Sequence, residues 1–242
     1  MLDQMFTAEN FRRIYDVENR KGLDLAARYF PSLEPFTLTV RDKVQDIRDH
    51  RAKQAAMTAD VFEATLLDLK TELAAVKAEK SAAVDDLMDE ISQKVLKSTF
   101  KIELSKKDGP KGKPVFCVDT EPETFFVIKQ LQRNINRIYG VRQAHRHELG
   151  CQGRDMLGSS FPFELVRTDI SSFYESIDRK KLLEKLDGDQ LLSPTSKNYI
   201  KQVLVSYGAK SGTVVGVPRG VGISAYLAEL YMRPDDNAIR KI

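Results

Sequence analysis

Cysteine is scarce in this chain of 242 residues, and long apolar runs are absent. Cys117 and Cys151 are too few for a disulfide framework, and their spacing is not that of a metal site. The segment Met1–Phe6 lacks the cationic region and apolar run of a secretory signal, and no apolar stretch could span a membrane. We therefore expect a cytoplasmic protein in a reducing compartment, without a membrane partner.

A large charge imbalance is also lacking. The formal net charge is only +3, so the whole-chain balance does not indicate nucleic acid binding, and any such surface must come from local clusters of basic residues. Hydrophobic residues make up 42% of the chain, which is enough for a packed core. The length allows one large domain or two small ones.

Glycine and proline are missing between Pro35 and Gly109. Apolar residues within this run follow an alternation of four and three positions that Lys80 interrupts: Phe62, Leu66, Leu69, Leu73, Val76, Ala83 and Leu87. The pattern predicts a long helical hairpin or a short coiled coil. Packing within the chain is favoured over self-association, because the apolar seam is short and Lys80 would weaken it. We expect residues 1–98 to form a helical N-terminal region.

The segment from Phe100 to Val118 has the pattern of a β-hairpin. Phe100, Ile102 and Leu104 alternate with polar residues, as in a half-buried strand, and residues 115–118 form a second apolar strand after a turn-rich connection. Lysines are concentrated at the tip. They could neutralise phosphates or keep an exposed loop in solution, and the sequence does not separate these two roles.

The next segment predicts a helix that begins at Asp119 or Thr120 and ends at Gly140. An apolar stripe occupies one face. Lys129, Arg133 and Arg137 recur every four residues and therefore share another face. Arg142 and Arg146 continue the basic run beyond the helix. These five residues are the candidate nucleic-acid-binding surface, for a template or a triphosphate.

Two further segments contain the candidate residues for metal and substrate binding. Leu165–Ile170 is typical of a buried strand that presents Asp169 at its end, where a carboxylate is a natural metal ligand, and two serines and the pair Phe173-Tyr174 follow. Gly216–Leu227 is a loop with glycine and proline that leads into a helix.

The patterns Asp-x-x-x-Phe-Tyr and Gly-x-Pro-x-Gly-x-x-x-Ser resemble motifs A and B in the palm of reverse transcriptases, and they occur in the family's order. We call Arg167–Ile177 the motif A segment and Gly216–Leu227 the motif B segment. Three features are most similar to the bacterial defence-associated, antiphage group: the helical N-terminus, the segment from Phe125 to Arg146 and the sequence Gly-Val-Pro-Arg-Gly-Val-Gly-Ile-Ser. Retron and group II intron enzymes are the nearest alternatives. The resemblance implies an α+β right-hand polymerase, with fingers at residues 99–164 and a partial palm at 165–242.

The resemblance also implies site residues. Asp169 would be catalytic and, with the Ile170 carbonyl, would bind magnesium, of which the complete enzyme uses two ions. Ser172 and Phe173 would face the incoming deoxynucleoside triphosphate, and the Tyr174 ring would exclude a ribose hydroxyl, so the template would be RNA and the product DNA. Arg219 and Gly220 would contact substrate and Ser224 nucleic acid. Arg219 stands where most family members have glutamine, and Ala225 where many have proline.

The family's third motif, Tyr-x-Asp-Asp, does not occur in these residues, and Asp235-Asp236 is not a substitute because Pro234 precedes it directly. We therefore expect an N-terminal part of a longer polymerase that is inactive alone. Two alternatives remain. One is a non-catalytic module that binds nucleic acid through a palm surface, and the other is an interaction module built on the helix from Phe62 to Leu87.

Overall fold

The computed structural model of the chain describes residues 3–141, 146–158 and 170–239. Its helices are α1 (Ala8–Arg20), α2 (Leu25–Tyr29), α3 (Glu34–Ala52), α4 (Ala59–Val95), α5 (Pro122–Tyr139), α6 (Arg146–Leu157), α7 (Phe173–Ser176), α8 (Arg179–Asp189), α9 (Pro194–Ser211) and α10 (Ser224–Ile239). The strands are β1 (Leu104–Lys107) and β2 (Val115–Val118). A mostly helical chain with a small antiparallel sheet is consistent with the expected α+β class.

The chain divides into two compact units. The helical unit comprises Met5–Phe100 with Glu121–Glu123. The C-terminal unit comprises the described residues of 1–4, 101–120 and 124–242. The division of residues 99–242 into fingers and palm stays a prediction.

In the helical unit, α3 and α4 form the helical hairpin that the sequence pattern favours. The rings of His50 and Phe62 stack at 4.7 Å, and a ring nitrogen of His50 lies 3.0 Å from the Phe62 carbonyl oxygen. Lys80, which interrupts the apolar seam, donates to the hydroxyl of Thr37 at 2.8 Å. The interruption is therefore a polar contact between α3 and α4 within one chain.

Helix α1 packs on α4 through both apolar and polar contacts. Phe11 of α1 and Met88 of α4 are fully buried. The Arg12 guanidinium donates to the carboxylate of Asp85 at 2.6 Å and to the carbonyl and hydroxyl oxygens of Ser81 at 3.0 Å each. These bonds fix α1 along the second half of α4.

In the C-terminal unit, β1 and β2 form the expected antiparallel hairpin, with Leu104 paired with Val118. The prediction that the first strand begins at Phe100 was wrong, because β1 begins at Leu104. The backbone N–H groups of Ile102 and Leu104 donate to side chains of α9 instead, namely Gln202 at 3.1 Å and Ser206 at 2.9 Å. The hairpin is thereby anchored on α9.

Apolar faces of α5, α8, α9 and α10 form the core of this unit. Fully buried members include Phe126, Leu131, Ile135, Leu182, Leu186, Ile200, Val203, Leu227 and Leu230. The apolar stripe expected on α5 therefore lies in the core. Most of the expected strand Leu165–Ile170 lies outside the described residues. Within the described residues, no helix has both the length and the apolar character that crossing a membrane requires.

Candidate functional site

The motif B loop lies directly against α7 of the motif A segment. The backbone N–H of Val217 donates to the Tyr174 carbonyl at 2.7 Å, and the N–H of Gly216 donates to the Ile177 carbonyl at 2.7 Å. Gly216 has φ +87°, and a Cβ atom there would lie 2.9 Å from the Glu175 carbonyl oxygen. Because both the conformation and the close approach exclude a side chain, glycine is required for the two segments to meet.

Arg179, the first residue of α8, forms hydrogen bonds with the start of this loop. Its guanidinium donates to the carbonyl oxygens of Gly216 and Val215 at 2.6 Å each, and it lies 4.7 Å from the ring centre of Tyr207. Burial lowers the pKa of Arg179 from its ordinary value. A guanidinium still carries its charge at neutral pH. Arg179 is therefore a fixed charged clamp between α8, α9 and the motif B loop.

The β-hairpin supports the other end of the loop. The Phe116 N–H of β2 donates to the Arg219 carbonyl at 2.7 Å. Gly220 has φ +97°, and a Cβ there would collide with Val115 and lie 2.7 Å from the Phe116 carbonyl oxygen. The contact observed at Gly220 is thus with the hairpin, and this contact alone accounts for the missing side chain.

A cavity of about 420 Å³ opens where these elements converge. Its lining combines Tyr174 of α7 with the motif B residues and with one side chain from α5: Gln132, Tyr174, Arg219, Gly220, Val221, Gly222, Ser224, Ala225 and Tyr226. Four residues for which substrate or nucleic acid contact was expected, Tyr174, Arg219, Gly220 and Ser224, therefore share one cavity.

Arg219 of the cavity pairs with Glu175, which is not itself a lining residue, and their side chains lie 2.9 Å apart. Each retains a buried polar atom without a hydrogen-bond partner among the described residues: Nε of Arg219 and Oε2 of Glu175. Buried polar atoms are normally satisfied, but both of these atoms lie beneath the surface, so neither is exposed to a ligand in this geometry.

No family model, curated protein or solved structure matches this chain. The assignment of the cavity therefore depends on its own residues. The aromatic rings of Tyr174 and Tyr226, the guanidinium of Arg219 and the amide of Gln132 can together hold a ligand that has a flat apolar part and an anionic part.

The residues predicted for the metal site are only partly described. Asp169 lies outside the described residues, and the magnesium site remains a prediction. Ile170 is described and its side chain is half exposed. In the described ranges, no group of three or more histidine, cysteine or carboxylate side chains could hold a metal ion.

The residues that follow Asp169 form a tight turn into α7. Ser172 has φ 49°, a left-handed conformation that is uncommon for a residue with a side chain, and its carbonyl accepts from the N–H groups of Glu175 and Ser176. Phe173 and Tyr174 are half-buried, and their rings lie 5.7 Å apart. The turn directs the Tyr174 side chain into the cavity, whereas Ser172 and Phe173 are not among the lining residues.

Helix α5 carries the expected basic face, but its residues differ in environment. Lys129 is half-buried and lies 5.6 Å from the ring centre of Phe125. Arg133 is also half-buried, and Arg137 is exposed. Arg142 lies outside the described residues, and Arg146 begins α6 without a described side chain. Of the three candidate basic residues whose side chains are described, Arg137 is the exposed one.

Ser224 has an observed contact of a different kind from the one expected. It is 1% exposed, and its hydroxyl donates to the Pro218 carbonyl at 2.6 Å. This bond closes the motif B loop onto the first turn of α10. A contact with nucleic acid would require the bond to open, and it remains a prediction.

Reasoning from the sequence missed Arg179, Glu175, Gln132 and Tyr226. Arg179 heads the run Arg-Lys-Lys, and nothing in the sequence separates it from Lys180 and Lys181, which are exposed. Glu175 could have been found, because it is the carboxylate nearest to the motif A aromatic pair and Arg219 is an unusual cation in motif B. Gln132 lies one residue before Arg133 and carries no local signal.

Proposed function

We propose that this chain is part of an RNA-directed DNA polymerase, a reverse transcriptase acting in antiphage defence, with residues 99–164 serving as fingers and 165–242 as part of the palm. One observation carries the proposal. Tyr174 of the motif A segment and Arg219, Gly220 and Ser224 of the motif B segment line the same cavity. Tyr174 precedes Arg219 by 45 positions, so the meeting of the two motif segments in one cavity is not a consequence of either pattern alone.

The cavity fits the chemistry that template-directed nucleotide addition demands. A deoxynucleotide presents an apolar sugar edge, a flat base and a triphosphate. The Tyr174 ring would lie against the sugar edge and exclude a 2′-hydroxyl, while Arg219 would give charge-assisted hydrogen bonds to a phosphate or a base edge. The Arg219 side chain is about one-third exposed, so part of it remains open to a ligand alongside the pair with Glu175.

The rigidity of the site also supports the polymerase proposal. The two backbone hydrogen bonds between α7 and the motif B loop, the Arg179 clamp and the contact of Gly220 with β2 hold both segments in one geometry. Phosphoryl transfer depends on positioning and electrostatic stabilisation more than on covalent chemistry by the protein. Asp169 and the Ile170 carbonyl would be magnesium ligands, and bound ions would supply charge stabilisation at the transferred phosphoryl group.

The test is incorporation of labelled deoxynucleotide on an RNA template with a DNA primer, by a form of the protein that also carries a Tyr-x-Asp-Asp hairpin. We expect template-dependent incorporation that falls when Arg219 is replaced by alanine. RNA binding without incorporation would replace the proposal by the non-catalytic binding module. Absence of both would remove nucleic acid as the partner.

A further inference from the structure

The helical unit, to which no function is assigned above, contains a cavity of about 660 Å³. Its lining comes from α1, α2, the start of α3 and the middle of α4: Arg12, Tyr15, Asn19, Asp24, Ala26, Ala27, Pro31, Glu34, Thr37, Leu38, Lys77, Lys80, Ser81 and Val84. This volume lies in the range of small-molecule and cofactor sites. All of these residues belong to one compact unit.

Small side chains leave this space open. Helix α2 presents Ala26 and Ala27 to the cavity, while its neighbour Leu25 is fully buried and fills the core instead. Ser81 is the small residue that α4 contributes. The buried side chains of Tyr15 and Val84 provide an apolar floor.

Two lysines on α4 bring positive charge to the cavity, opposite the carboxylates of Asp24 and Glu34 on other elements. Lys77 and Lys80 lie one turn apart, and neither forms an ion pair with a described residue. The partner of Lys80 is the neutral hydroxyl of Thr37 at 2.8 Å. Arg12 differs, because Asp85 and Asp16 already neutralise it and Ser81 takes two further donors. The cations available to a ligand are therefore Lys77 and Lys80.

Acceptors for hydroxyl or amino groups come from the other elements. Glu34 heads α3, and Asp24, whose carboxylate also caps α2 through the Ala27 N–H at 3.0 Å, retains further acceptor capacity. A fatty acid would expose its tail to these carboxylates. Inorganic phosphate would leave most of the cavity empty. A ligand with a phosphate, hydroxyl groups and an apolar planar part would match the lysines, the carboxylates and the apolar floor respectively.

We propose that this cavity binds a nucleoside phosphate, with the phosphate on Lys77 and Lys80, the ribose hydroxyls toward Asp24 or Glu34, and the base over the apolar floor. This site is separate in residues from the Tyr174 and Arg219 cavity, and it does not depend on polymerase activity. Two lysines that donate to one phosphate give charge-assisted hydrogen bonds, which are stronger than those between neutral groups.

The test is calorimetric titration of the 242-residue chain with ATP, AMP, adenosine and inorganic phosphate. We expect ATP and AMP to bind more tightly than adenosine or phosphate. The double variant Lys77→Ala/Lys80→Ala should weaken binding by at least about tenfold. Ala26→Leu should also weaken it, because the added side chain fills the cavity while both lysines remain. Thermal melting of each variant checks that the fold persists.

The matched control is Lys43→Ala, because Lys43 lies on the same α3–α4 hairpin but is paired with Glu72 at 2.6 Å and does not line the cavity. It should leave nucleotide binding unchanged. The proposal is overturned if the lysine pair variant binds ATP as the original chain does, or if phosphate binds as tightly as AMP. It is also overturned if Arg219→Ala, rather than the lysine pair, removes binding, since that result would assign the nucleotide to the other cavity.

Discussion

The Arg219 guanidinium lies 2.9 Å from the Glu175 carboxylate, so a charge pair joins the motif B loop to the helix of the motif A segment. Both side chains are about one-third exposed, which means that solvent screens part of their attraction. The pair therefore positions Arg219 more than it stabilises the fold.

A double-mutant cycle with Arg219→Ala and Glu175→Ala measures this relationship. We expect a coupling of about 0.5–1 kcal/mol in the free energy of unfolding, which is the range for pairs that solvent still reaches. Chemical denaturation of the four proteins gives the value. In the form that carries a Tyr-x-Asp-Asp hairpin, Arg219→Ala should raise the KM for deoxynucleotide, whereas a zero coupling would mean that the two side chains do not meet in solution.

Gly220→Ala should destabilise the protein by roughly 2 kcal/mol or more, because the left-handed conformation disfavours a side chain and a Cβ would collide with Val115 and Phe116. Gly188→Ala is the matched control. Its Cβ would meet nothing within 4 Å, and alanine within α8 should stabilise by about 0.5–1 kcal/mol. Urea denaturation compares the two, and equal midpoints would contradict the contact between the motif B loop and β2.

The parts of the fold that the sequence predicts are those set by local periodicity. The run without glycine or proline became α3 and α4. The apolar stripe predicted for α5 is buried at Ile128, Leu131 and Ile135 and half-buried at Ile138. Both patterns depend on residues within a few turns of each other. Such local patterns predict a helix even when the elements that pack against it are unknown.

The site required contacts that no local pattern encodes. Arg179 reaches Gly216, Val215 and Leu204, which lie tens of residues further along the chain. The start of β1 was likewise set by Gln202 and Ser206 of α9 rather than by alternation. Motif positions indicated which residues would meet, but the side chains that hold them there became visible only in three dimensions.

Arg137→Ala tests the basic face of α5 at its exposed member. We expect weaker binding of single-stranded RNA and a smaller salt dependence of the binding constant, with the slope of log K against log salt falling by up to about one. Replacing Lys129, Arg133 and Arg137 together should lower the slope by up to about three. Fluorescence anisotropy over a salt series measures both.

The control for that series is the triple alanine variant of Arg41, Arg48 and Arg51, which are exposed on α3 and remove the same net charge. It should change the slope less than the α5 variant does. If both triples reduce the slope equally, the binding reflects overall charge and the α5 face has no special role.

Tyr174→Ala tests sugar selection in the form that carries a Tyr-x-Asp-Asp hairpin. The ring lines the cavity and carries no charge, so its removal should admit ribonucleotides while deoxynucleotide addition largely persists. Competition between labelled ribonucleotide and deoxynucleotide on one template gives the selectivity. Tyr226→Ala, another aromatic of the same cavity, is the comparison. Equal use of both sugars by the original protein would refute the proposed role of Tyr174 in excluding ribonucleotides.

Asp169→Asn tests the catalytic centre. The substitution keeps size and shape but removes the charge that offsets bound magnesium, so incorporation on an RNA template should be abolished while the melting temperature stays the same or rises as carboxylate repulsion is relieved. The 242-residue chain alone should bind Mg²⁺ weakly and extend no primer, because two-ion chemistry needs carboxylates beyond Asp169. Equal incorporation by the aspartate and asparagine proteins would remove Asp169 from the centre and the polymerase proposal with it. Robust synthesis by the 242-residue chain would mean that other carboxylates of this chain complete the metal site.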